Sequence, residues 1–146
     1  MTREEILKEI KKFFDIEELV CDHVFARFGE KAWDFLNTDL LWTLLVIRRD
    51  IIKLPMWCNS KTAHQRGLRC NLCQLVKEKR VAYVTPHIQG IAVDLTVTGM
   101  KAQAARQKIK ENAHLLPVPI RLEADVTWIH LDLRNYTSQK VIEFKA

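Results

Sequence analysis

Apolar positions in the first third of the chain recur at helical spacing. Ile6, Ile10, Phe13 and Phe14 share one side of a charged segment, and Asp15 is placed to cap a short helix over IEELVC. Gly29 interrupts the pattern after HVFARF. A longer helix is predicted from about Thr38 to Lys53, with Leu41, Leu44, Leu45, Ile47 and Ile51 as its apolar stripe and Pro55 as its stop.

Beyond Pro55 the period shortens towards two. MWCN and VAYV read as short strands, separated by the polar, glycine-containing stretch SKTAHQRGLRCNLCQ. IAVDLTV alternates: Ile91, Val93, Leu95 and Val97 point one way, Ala92, Asp94 and Thr96 the other. Gly99 ends that strand, and MKAQAARQKIKENAHLL has the composition of a helix. Pro117 and Pro119 stop it. IRLEA and VTWIHLDLR then form a predicted hairpin, and KVIEF a final edge strand. Helices first and a mostly antiparallel sheet afterwards define the α+β class, as one domain over residues 1–146.

Composition narrows the partners. The net charge of +5 favours polyanions. The basic residues are scattered, without a stripe interleaved with aromatics, so nucleic acid is not an expected partner. The four cysteines, Cys21, Cys58, Cys70 and Cys73, contain one C-x-x-C pair and no second pair to complete a four-thiolate site, which favours reduced thiols. The N-terminus is charged and amphipathic rather than a signal peptide, and the apolar run near LLWTLLVI is too short to span a bilayer. Cytoplasmic synthesis without membrane insertion is the expectation.

The chemistry is concentrated in the alternating strands. An acid on a strand that faces the protein interior is costly unless it is paired or bound to a metal, and Asp94 occupies such a place. In VTWIHLDLR, Ile129, Leu131 and Leu133 face the core while Trp128, His130 and Asp132 face away. His87 precedes Asp94 by seven positions, and Gly90 between them can turn the chain back. Two imidazoles and a carboxylate suit zinc, with the fourth position left for water. The competing reading is an ion-paired aspartate beside hydrogen-bonded histidines.

HIQGIAVDLTV resembles the H-x-x-G-x-A-x-D element of the zinc peptidases related to D-alanyl-D-alanine carboxypeptidases. That group includes VanX-type dipeptidases and phage L-alanyl-D-glutamate endopeptidases and shares its fold with the Hedgehog signalling domain. WIHLD resembles the family's second element and GLR, Gly67 to Arg69, its upstream arginine turn, in family order. The resemblance implies zinc held by His87, Asp94 and His130, with Arg69 beside the substrate carbonyl or carboxylate. Many members carry an acid three residues before the last histidine, where this chain has Thr127. The general base is then one of Glu123, Asp125 and Asp132. Glu123 is favoured because the hairpin can bring it opposite His130; Asp132 can orient a ligand instead, and Asp125 reads as a turn residue.

The activity implied is that of a zinc metallopeptidase, a carboxypeptidase or endopeptidase hydrolysing peptidoglycan peptides. A phage or prophage endolysin, released to the cell wall by a separate lysis system, fits the missing signal peptide. The alternative is a non-catalytic zinc-binding domain on the same fold that binds wall peptide or a protein partner. Cys70 and Cys73, with His64 nearby, lack a visible fourth ligand for a second metal, and His23 and His114 read as surface residues on helical segments.

Overall fold

The computed structural model describes residues 1–146. Helix α1 (Arg3–Ile10) begins with a capping box: the Thr2 hydroxyl accepts from the Glu5 N–H, and the Glu5 carboxylate accepts from the Thr2 N–H. Asp15 and Glu18 repeat the device ahead of α2 (Ile16–Leu19). Helix α3 (Asp22–Phe28) runs into a 3-10 turn over Gly29–Phe35. Helix α4 (Thr38–Val46) buries residues nearly all round, as expected of a helix enclosed by its neighbours, and continues as a π-helical turn over Ile47–Ile52. Lys53, in the left-handed conformation, ends it two residues before Pro55.

The sheet has five strands in the order β1-β2-β4-β3-β5. They are β1 (Met56–Trp57), β2 (Ala92–Val97), β3 (Ile120–Glu123), β4 (Ile129–Asp132) and β5 (Val141–Phe144). All pairings are antiparallel except β3 with β5, so the α+β expectation holds. β3 and β4 form the expected hairpin, and VAYV is the exception: it forms no strand. Val81 and Val84 stay exposed, so the segment buries no apolar face of the kind a strand needs.

Pairing and pleat sort the sheet into two faces. Val93, Leu95, Leu122, Ile129 and Leu131 enter the core, against which α5 (Ala102–Glu111) and the α4 continuation pack. Asp94, Arg121, His130 and Asp132 occupy the alternate positions, with Asp94 directly opposite His130 and Arg121 directly opposite Asp132.

Two glycines bring the rest of the site to that face. Gly90 has a φ of +69°, and a Cβ there would collide with the carbonyl oxygen of Phe35. Gly67 lies so close to Leu19 that a Cβ would overlap the Leu19 carbonyl. This close approach lets Leu68 exchange backbone hydrogen bonds of 2.9 Å with Leu19 and Cys21, docking the long loop onto the α2–α3 junction. The Asn59 side chain bonds the Val20 carbonyl and the Arg66 N–H beside it.

Gly90→Ala is expected to cost more than the roughly 1–2 kcal/mol of left-handed strain alone. Gly99→Ala, with φ +78° but open space around it, should cost about that strain. Urea unfolding of the two variants checks the difference; equal losses would contradict the Phe35 contact.

Candidate metal centre

Three elements deliver the site. β2 supplies Asp94, β4 supplies His130, and the turn closed by Gly90 supplies His87. All three are buried, with 4, 9 and 8% of the surface of His87, Asp94 and His130 exposed. One donor atom from each lies within 4.8 Å of the others. His130 Nδ1 is 2.8 Å from Asp94 Oδ1, His87 Nε2 is 3.4 Å from Asp94 Oδ2, and the imidazole centroids are 5.2 Å apart.

The far side of each imidazole is also held. His87 Nδ1 lies 2.9 Å from the Gly67 carbonyl, to which it donates, and this contact turns Nε2 towards Asp94. His130 Nε2 lies 3.0 Å from Asp132 Oδ2. Asp132 is fully buried and receives two parallel bonds from Arg121, at 2.9 and 2.8 Å, and the Arg134 N–H at 2.8 Å. Arg69 stands 3.5 Å from Asp94 Oδ2. The result is a row of alternating charge across the sheet face.

Electrostatics follow from the row. Burial opposes ionisation of Asp94, but hydrogen bonds from His130 and His87 override it and hold the carboxyl far below its usual range. Burial also opposes charge on His130; the bonds to Asp132 and Asp94 outweigh it and raise the imidazole to about 9. Asp132, against its burial, is lowered to about 2 by His130, Arg121 and the Arg134 N–H.

The donor set fits a metal ion. A tetrahedral ion with nitrogen and oxygen ligands at about 2.1 Å spaces its donors by about 3.4 Å, which is the His87–Asp94 separation. Between His130 and Asp94 the 2.8 Å spacing is that of a hydrogen bond, so an ion there takes the place of the proton. Orientation of ligand imidazoles by a carbonyl and a carboxylate is the usual support of such sites.

Two clefts meet at this point. One of about 310 Å³ is lined by His87, His130, Tyr83, Arg121 and Glu123, and one of about 640 Å³ by Trp57, Arg66, Thr96 and Thr127. Arg69, Asp94 and Trp128 line both, making a continuous groove over the donors.

The three candidate carboxylates separate clearly. Asp125 is exposed in the β3–β4 turn, with φ +62° and an ion pair to Lys145. Asp132 is committed to Arg121 and His130. Glu123 lines the cleft, and the β3–β4 register, continued by one residue, sets it across from His130. Arg121 was not among the residues singled out in the sequence; its signal is its place two residues before Glu123 on the same strand face.

A second group, Cys21, His23, Cys70 and Cys73, also gathers donors within 4.8 Å and can hold a metal. His64 is not in it, and His23, which the helical pattern marks as ordinary surface, is. No family model matches this chain, and neither does any curated protein or solved structure.

His130 carries the pH dependence. Its pKa is raised on folding, so its ion-pair contribution is complete below about 6.5 and lost as pH rises through about 9. The metal-free protein should lose stability over that window, and Asp132→Asn should shrink the loss and lower the imidazole midpoint in an NMR titration. The same variant should weaken metal affinity about 10- to 100-fold. An unchanged midpoint would remove Asp132 from this role.

Proposed function

We propose that this protein is a zinc-dependent metallopeptidase that hydrolyses peptide bonds in bacterial peptidoglycan, as a carboxypeptidase or endopeptidase. The observation that carries the reading is a His-Asp-His donor set at the base of an open groove, with an arginine and an uncommitted carboxylate on its walls. The H-x-x-G-x-A-x-D resemblance around the same three residues supports it.

His87 Nε2, an Asp94 oxygen and His130 Nδ1 would hold the ion. Zinc in such a site supplies Lewis acidity, lowering the pKa of water and polarising a carbonyl. Glu123 accepts the proton of the attacking water at its carboxylate and returns it to the leaving amine. Its place on β3, across from His130, sets it at the groove wall without drawing it into the donor set. Arg69 offers a guanidinium to the developing negative charge or to a substrate carboxylate. Arg69 also stands 3.5 Å from Asp94 Oδ2 while lining the groove.

An extended substrate suits a groove whose lining includes Trp57, Trp128 and Tyr83. Peptidoglycan stem peptides combine carboxylates with extended backbone, and the net charge of +5 favours an anionic wall. Synthesis in the cytoplasm and release through a phage lysis system is the route this reading implies. No helix of the protein is long and apolar enough to cross a membrane.

Purified peptidoglycan incubated with the zinc-loaded protein should yield cleaved stem peptides by mass spectrometry. Glu123→Gln should lower turnover by at least about 100-fold while keeping the metal, and His87→Ala with His130→Ala should abolish metal at this centre and activity together. Metal retention without cleavage by the intact protein would leave a zinc-binding wall or partner module in place of the enzyme. Full activity of Glu123→Gln would reassign the base.

A further inference from the structure

The Cys21, His23, Cys70 and Cys73 group lies outside the groove and has no part in the proposed reaction. Cys21 immediately precedes α3 and His23 is in its first turn. Cys70 and Cys73 flank a tight turn closed by a 3.1 Å hydrogen bond from the Cys73 N–H to the Cys70 carbonyl. Thus two short-spaced pairs, C-x-H and C-x-x-C, meet from segments fifty residues apart, with His23 Nδ1 3.9 Å from Cys73 Sγ. In the chain the C-x-x-C lacks a companion; folding supplies one in the C-x-H.

We propose that Cys21, His23, Cys70 and Cys73 form a structural zinc site that clamps the loop bearing Arg69 to the helical layer. Three thiolates and one imidazole make a complete tetrahedral set, with no open position for substrate. Soft sulfur donors select zinc over magnesium or calcium. The Leu72 N–H points at Cys70 Sγ, 3.4 Å away, an arrangement that stabilises negative charge on a ligating sulfur. None of the four cysteines is in a disulfide. The neighbouring His64 is not among the gathered donors; its Nδ1 faces Asp22 at 3.1 Å and its Nε2 the Lys61 carbonyl at 2.8 Å.

The location explains what such an ion would do. Arg69 directly precedes Cys70, and the Cys21 N–H bonds the Leu68 carbonyl. One residue further back, the Gly67 carbonyl orients His87. A long connection with little regular structure carries these groups, and a metal that closes it restricts the unfolded chain and secures the loop. The inference rests on this cluster alone and stands whether or not the protein is a peptidase.

Cobalt(II) substitution separates the two centres, because only the cysteine cluster can give thiolate-to-cobalt charge transfer. The His87→Ala, His130→Ala protein should still bind about one equivalent of zinc, and its cobalt form should show near-ultraviolet thiolate bands with intense tetrahedral visible bands. Cys70→Ser with Cys73→Ser should remove those bands and about one equivalent of zinc from the otherwise unchanged chain. His23→Ala, at an exposed position, should shift the visible bands while leaving the protein folded. Absence of thiolate bands from the cobalt-loaded wild type, or unchanged zinc content in folded Cys70→Ser, Cys73→Ser protein, would overturn the site. Should the double serine variant not fold, the wild-type cobalt spectrum and its shift in His23→Ala decide the matter.

Discussion

The sheet face depends on one contact: His130 lies between two carboxylates, Asp94 and Asp132, both removed from bulk water. Burying either acid alone would be expensive. Arg121 beyond Asp132, and Arg69 beside Asp94, extend the row until each charge meets its opposite. Such a network contributes little to stability compared with an apolar core of the same shape. What it provides is fixed donor orientation, with three strands and a glycine turn committed to one arrangement of ring planes and carboxylate oxygens.

That commitment explains the asymmetry of the molecule. The helical half is built from capping boxes and an enclosed central helix, and it presents no buried cluster of acids and imidazoles of its own. Its service to the site is indirect. The Phe35 and Leu19 carbonyls press against Gly90 and Gly67, at contacts only glycine can make. Through them the helical layer positions His87 and the carbonyl that orients it. Loop, helix and sheet therefore meet at the groove, and Trp128 and Arg69 line both of its halves.

Much of this was legible along the chain. Alternation in IAVDLTV and VTWIHLDLR placed Asp94 and His130 opposite the core-facing residues, and the register pairs them directly. The reading of VAYV as a strand failed because a local pattern cannot tell that Val81 and Val84 stay exposed instead of packing on the core. Asp132 was visible as a neighbour of His130 on the strand, yet its role as the anchor for Arg121 depends on the β3–β4 register. The cysteine cluster was hidden for a related reason. C-x-x-C was seen, but its companions lie fifty residues away on a helix start.

Residue periodicity alone determined the class of fold, the order of helices and strands, and the face on which the polar residues of β2 and β4 emerge, because side-chain direction follows local backbone period. Only the tertiary structure decided which carboxylates are held in ion pairs, which one remains at the groove wall, and which distant thiols share a corner. Those are properties of strand register and loop docking, set by contacts between segments far apart in the chain. The spacing of residues within any one segment carries no record of them.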